Sequence, residues 1–179
     1  MSARLLRLPD RIRPGVRVLF VGINPGIRSA AVGHHFAGYS NRFWKLLCES
    51  GLVPRPLACE QDVRLPEWLY GLTNLIARPS RGIGDLTAAE YAAGRRRLLA
   101  KIRRYRPEVV ALVGVTLDRV LFPERAAKSV RLGLQAETLA GACVFVLPNP
   151  SGRNAHYPYR EMLAAYRALK AYLESRPHS

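Results

Sequence analysis

Three short apolar runs constrain this chain more than any other feature: VRVLFVG at residues 16–22, EVVALVG at 108–114 and ACVFVL at 142–147. Each is rich in β-branched residues, too short for a helix and bounded by glycine or proline. That pattern marks a strand buried on both faces rather than one that alternates. Helical patterns fall between the runs. Thr87-Ala-Ala-Glu90 is a capping box that opens a helix through about Tyr105, where Pro107 ends it. Ser40 is placed to cap a helix through Phe43, Trp44, Leu46 and Leu47, with Gly51 as its stop. A short helix is expected at 116–121, a last one at 158–175, and a short strand within YGLTNLIARP at 70–79. Doubly buried strands alternating with helices predict an α/β fold: a three-layer sandwich whose central, largely parallel sheet is flanked by helices. A chain of 179 residues suits one domain, read as residues 16–175 after a basic arm at 1–15.

Charge narrows the partners. Lysine and arginine number 28 against 13 acids, a net charge of +15. Of these cations 24 are arginine, whose planar fork matches phosphate bidentately. A positive field of this size points to a polyanion, with nucleic acid first. No apolar run approaches the roughly 18 residues of a membrane span, and arginines interrupt the N-terminal segment where a secretory signal would need an apolar stretch. Cys48, Cys59 and Cys143 have neither metal spacing nor an even count, so a reducing, cytoplasmic and nucleoid-associated setting is expected. The pair His34-His35 has no further soft ligand nearby, and no metal or cofactor is expected.

Two loops follow the outer strands in sequence. Gly22-Ile23-Asn24-Pro25-Gly26 ends the first and Pro148-Asn149-Pro150-Ser151-Gly152 ends the last. Ligands of open α/β sheets bind just past the carboxyl ends of strands. In both loops an asparagine precedes proline, which confines it to extended geometry and fixes its aim. Neither loop has the glycine spacing of a phosphate loop or a dinucleotide fingerprint. The same dipeptide also makes ordinary turns, and spacing alone leaves both readings open.

Four blocks taken together resemble a known family. GINPG, GHHFAGYSNRFWK at 33–45, LTNLIARP at 72–79 and LPNPSGR at 147–153 are similar, in order and in spacing, to the mismatch-specific uracil/thymine-DNA glycosylases. The resemblance runs from about Val16 to Tyr172. It implies the uracil-DNA glycosylase fold and a monofunctional enzyme that flips uracil or thymine, usually opposite guanine, and hydrolyses its N-glycosidic bond. The implied partner is double-stranded DNA bearing a mismatched or damaged pyrimidine, with the protein a monomer that needs no membrane.

The resemblance also assigns residues. Asn24 matches the catalytic asparagine that positions the attacking water, and an amide orients water without acting as a base. Phe36 matches the aromatic that stacks on the extruded base, the alternative being a core phenylalanine. The backbone of Ile23 and the side chain of Asn74 match positions at the pyrimidine edge, and Asn149 borders the same pocket. Ser151, Gly152 and Arg153 match the loop that enters the minor groove. Arg153 is the wedge, a phosphate contact or a guanine reader, Ser151 bonds phosphate, and Gly152 lets backbone approach DNA. Asp85, in Gly84-Asp85-Leu86, has two readings: a carboxylate that activates the water or steadies the sugar cation, or a solvent-facing turn residue. The arginine-rich run at 95–106 reads as a solvated helix face. No lysine lies in either crevice loop, which argues against Schiff-base lyase chemistry. The competing reading is a binding module on the same fold that recognises mismatched DNA without cleaving it. A zinc deaminase lacks its HxE…PCxxC signature here, and a nucleotide hydrolase lacks its P-loop.

Overall fold

Side-chain direction alternates along the central strands, and because every position is apolar the two faces build two cores. In strand β1 (Val18–Gly22), Val18 and Phe20 face one side of the sheet, while Leu19 and Val21 face the other. Strand β3 (Val109–Val113) divides likewise, Val109, Ala111 and Val113 against Val110 and Leu112. All nine of these side chains are buried, as expected of strands covered on both faces. The computed structural model describes residues 7–125 and 129–178.

The sheet has five strands in the order β2-β1-β3-β5-β4. Strands β1, β2 (Tyr70–Asn74), β3 and β5 (Ala142–Leu147) are parallel, and β4 (Gly133–Leu139) runs antiparallel at one edge. One face is covered by α2 (Phe43–Glu49), α5 (Tyr159–Glu174) and a 3₁₀ segment (Cys59–Trp68); the other by α3 (Ala88–Tyr105) and α4 (Val115–Leu121). This is the three-layer sandwich that the apolar runs predict. The remaining helix, α1 (Ile27–Val32), directly follows the first crevice loop.

Local chemistry accounts for the boundaries. The capping box at α3 forms as read: Thr87 Oγ1 accepts from the Glu90 N–H at 3.2 Å, and the Glu90 carboxylate accepts from the Thr87 N–H at 2.9 Å. Ser40 does not cap α2. Arg42 occupies that position, and Asn41 Oδ1 accepts from the Phe43 N–H at 3.0 Å. Strands β4 and β5 join through Ala140 and Gly141, both at positive φ, a two-residue hairpin turn of the kind that matches strand twist. Of the expected basic arm, residues 1–6 lie outside the described residues. Residue 11 pairs antiparallel with Leu72 through two 2.9 Å backbone hydrogen bonds and so covers the edge of β2. The arginines at 95–97 on α3 are exposed, as a solvated face requires. No described helix is long and apolar enough to cross a membrane.

Candidate active site

The carboxyl ends of all four parallel strands open into one cleft of about 910 Å³. Gly22, Ile23 and Asn24 enter from β1, Asn74 from β2, Val113 from β3 and Asn149 from beyond β5. The two asparagine-proline loops therefore converge, as the sheet topology demands of a crevice beside a central strand. Leu8, residues 25–29, 35–36, 38–41 and 80–83, and Ser151 and Arg153 form the rest of the wall. Arg28, Arg81 and Arg153 supply the lining charges, and among the described residues the lining includes no carboxylate and no lysine.

Asn24 is held by its amide nitrogen, which donates to the Arg78 carbonyl at 3.0 Å and to Ser80 Oγ at 2.8 Å. A carbonyl only accepts, so the contact with Arg78 fixes which end of the amide is nitrogen. Ser80 Oγ donates onward to the Gly82 carbonyl at 2.9 Å, so its own proton is committed and its lone pair faces Asn24. Among the described residues Asn24 Oδ1 has no hydrogen-bond donor, and the side chain lines the cleft. The segment carrying Arg78 and Ser80 is itself tied down. Arg78 pairs with Glu90 at 2.7 Å, and that guanidinium together with the Thr87 N–H pulls the Glu90 carboxyl down to about 2. Arg78 Nη2 also donates to the Asp85 carbonyl at 2.9 Å. Sequence reasoning missed Ser80; its only signal was its place next to the LTNLIARP block.

Phe36 forms part of the wall as an aromatic platform. It stacks on Phe43 with ring centroids 4.0 Å apart and planes 24° apart. Phe43 is fully buried and meets Phe20, Trp44 and Tyr166 edge-on. Phe36 is half-buried: it packs against the first core on one side and borders the cleft on the other. Its φ of +52° lies in the left-handed region, which costs a non-glycine residue on the order of 1–3 kcal/mol and must be held by its surroundings.

The holding group is Asp62, wholly buried at the start of the second turn of the Cys59–Trp68 segment. Its carboxylate accepts from Arg11 Nε at 3.1 Å and from the His35 N–H at 2.9 Å, and contacts His34 Nδ1 at 3.0 Å. Arg11 also donates to the Gly33 carbonyl at 3.0 Å. His35 Nε2 donates to the Pro9 carbonyl at 2.8 Å, and burial lowers the pKa of this ring below its ordinary value. The paired histidines thus hold the loop that bears Phe36. Nothing in the polar stretch around Asp62 signals this role in sequence.

Asn74 lies opposite Gly22 in the β1–β2 register. A Cβ at Gly22 would sit 2.5 Å from Asn74 Oδ1 and 3.7 Å from the Phe36 ring. The missing side chain is therefore what lets the Asn74 amide lie across the strand beside the aromatic. Ile23 is buried and its carbonyl accepts from the Ile76 N–H at 2.8 Å, so a backbone contact to a ligand edge would fall to its N–H.

The second loop is self-bonded and docked. Asn149 Oδ1 accepts from the Ser151 N–H at 3.0 Å, Ser151 Oγ from the Arg153 N–H at 3.2 Å, and the Asn149 carbonyl from Asn154 Nδ2 at 2.9 Å. Asn149, Ser151 and Arg153 line the cleft, and the exposed Arg153 side chain has no ion-pair partner among the described residues. Gly152 does not line it. A Cβ there would lie 2.5 Å from Ser40 Cβ, and the Pro150 carbonyl accepts from the Arg42 N–H at 3.0 Å. The close approach that requires glycine at 152 within the fold is to Ser40 of the neighbouring loop.

Asp85 stands outside the lining of the cleft. It ends the exposed 3₁₀ turn Ile83–Asp85, while its neighbours Gly82 and Ile83 border the cleft. Of its two readings, the solvent-facing turn residue fits this placement. Around Phe36, Ser29 lines the cleft with its hydroxyl accepting from the Ala37 N–H at 3.0 Å, whereas Ala30 is buried behind it.

Residues 9–170 match the model of the Uracil DNA glycosylase superfamily. The chain belongs to that superfamily. Membership assigns it to the DNA glycosylases that act on uracil, hydrolases of base excision repair whose partner is DNA. The matched span contains both asparagine-proline loops, the aromatic platform and Asn74.

Proposed function

We propose that the chain excises uracil, and thymine where the pocket admits its methyl group, from mismatches with guanine, by flipping the nucleotide and hydrolysing its N-glycosidic bond without lyase chemistry. The observation that carries this reading is the orientation of Asn24. Its amide nitrogen is fixed by Arg78 and Ser80, and its oxygen meets no donor among the described residues, in a cleft shared with Phe36 and Asn74.

A base inside a duplex is out of reach, and unstacking it costs a few kcal/mol, least at a mismatch. Stacking on Phe36 returns roughly 1–3 kcal/mol. Asn74 offers both an amide donor and an acceptor to the pyrimidine edge. The bond from C1′ to the base nitrogen breaks with its electron pair leaving on uracil, which gives a uracil anion and an oxocarbenium-like sugar. Water held on Asn24 Oδ1 adds its oxygen to C1′ and gives up a proton, which the uracil anion takes. The products are free uracil and an abasic site. No cleft group needs to act as a strong base, consistent with a lining free of carboxylates among the described residues. Catalysis comes from positioning and from stabilising the departing anion in a positive field. The absence of lysine from that lining supports a monofunctional reaction.

The test is a panel of oligonucleotide duplexes with uracil or thymine opposite each base, incubated with protein and treated with hot alkali. Strand breaks at uracil opposite guanine, dependent on the alkali, are expected. Binding without breaks would favour a mismatch-binding module, and breaks before alkali would reveal a lyase.

A further inference from the structure

The mouth of the cleft carries an aromatic side chain that the fold does not use. Tyr39 is 90% exposed, the largest exposure of any large hydrophobic residue among those described. It is outside both hydrophobic cores. The ring is nevertheless held in place. The Arg28 guanidinium carbon lies 3.8 Å from its centroid, and Arg28 Nε donates to the Ala37 carbonyl at 2.8 Å. Ala37 follows Phe36 directly, so one loop carries the inner platform and anchors the outer one. Both Arg28 and Tyr39 line the cleft.

We propose that Tyr39, backed by Arg28, is a second nucleobase platform, which takes the base next to the extruded one on the same strand and admits uracil in single-stranded DNA as substrate. This rests on the glycosylase reading above. Tyr39 lies three positions after Phe36, a reach of at most about 11 Å along the chain, so one short loop can present two platforms to neighbouring nucleotides. A cation stacked on one face fixes the ring and leaves the opposite face for a base. Stacking on an aromatic requires an unstacked base, which single-stranded DNA offers at every position and an intact duplex does not. The arginines of the rim and the net charge of +15 suit a strand whose phosphates are exposed.

The experiment compares single-turnover uracil release from a single-stranded oligonucleotide and from a duplex with uracil opposite guanine, below saturation. The proteins are the wild type, Tyr39→Ala, Tyr39→Leu and Tyr39→Phe, each checked for an unchanged unfolding midpoint. The wild type is expected to act on both substrates. Tyr39→Ala and Tyr39→Leu should lose about 5- to 150-fold on the single strand, with a smaller loss on the duplex, the range that one stacked base supplies. Tyr39→Phe should stay within about twofold on both, because a stacking face needs no hydroxyl. Wild-type activity on the duplex with none on the single strand would overturn the proposal. So would equal single-strand rates in wild type and Tyr39→Ala, or a loss confined to the duplex, which would make Tyr39 a duplex wedge. A wild type inert on both substrates would instead refute the underlying glycosylase reading, and this proposal with it.

Discussion

Replacing Gly22 by alanine separates the site from the fold. The added methyl carbon would stand 2.5 Å from Asn74 Oδ1, where ordinary contact begins at 3.4 Å, so the amide must retreat by about 0.9 Å. The next contact, the Phe36 ring at 3.7 Å, is already comfortable. Asn74 is the movable partner, since its side chain is only half-buried and bonds to no other described residue. Gly22 is in strand geometry with φ outside the left-handed region, so alanine is permitted there and shrinks the unfolded ensemble by about 0.4–1 kcal/mol. Net stability should change by less than about 1 kcal/mol. Activity should not be spared, because a displacement near 1 Å of a group that orients substrate costs up to about 100-fold. The assays are urea unfolding and single-turnover uracil excision on Gly22→Ala, Asn74→Ala and the double variant. If both changes act through one amide, the double variant should be no slower than Asn74→Ala alone. Multiplicative losses, or a Gly22→Ala enzyme with unchanged excision, would refute the placement of Asn74 against the base.

Other expectations follow from the groups around the cleft. Asp62→Ala leaves the Arg11 charge and the His35 N–H without their acceptor. Breaking a buried pair costs about 3–5 kcal/mol, reduced here to about 2–4 because Arg11 keeps 18% of its side chain in water, and urea titration with Asp62→Asn as the milder control measures it. Burial holds His35 below its ordinary pKa of 6.5, with Arg11 acting the same way and the Pro9 carbonyl, Asp62 and Asp10 opposing. The unfolded chain therefore takes up a proton that the native chain refuses, so stability should be full above pH 6.5 and fall as pH drops below it; unfolding curves at pH 7.5 and 5.5 should show this, with a smaller fall in His35→Gln. Ser80→Ala removes one of the two bonds on the Asn24 amide, worth about 0.5–1.5 kcal/mol, so kcat should drop about 2- to 13-fold with KM held, and an unchanged kcat would remove Ser80 from the positioning chain.

What could be read from sequence was the buried interior and the strand ends. Strands β1, β3 and β5 are continuous apolar runs because both faces are covered, and continuity is a strong signal. Their carboxyl ends carry the two asparagine-proline loops, so the cleft was legible before any coordinate. Strand β4 was not, because it is a polar edge strand and its turn uses Ala140 at positive φ where sequence patterns look for asparagine-glycine. Helix α1 was missed because its six residues have no side-chain cap, and the Cys59–Trp68 segment because 3₁₀ turns have no apolar period. The residues that hold the site rather than touch the cleft's centre were hardest to see. Asp62 reaches Arg11 across 51 positions and Ser80 reaches Asn24 across 56, and such long-range polar contacts leave no local pattern. The packing of Gly152 against Ser40, 112 positions away, is equally invisible to a local reading.

In the proposed reaction, turnover depends on a water oriented by Asn24. The direct measurement is a pair of quantities on Asn24→Ala: affinity for a duplex with uracil opposite guanine, and the single-turnover excision rate on that duplex. Affinity within a few-fold of wild type with excision reduced by at least about 100-fold is the expected result, since a lost positioning group acts on the transition state more than on the bound substrate. Excision at a near-wild-type rate would contradict the account, because the amide fixed by Arg78 and Ser80 would then play no part in the chemistry of the cleft.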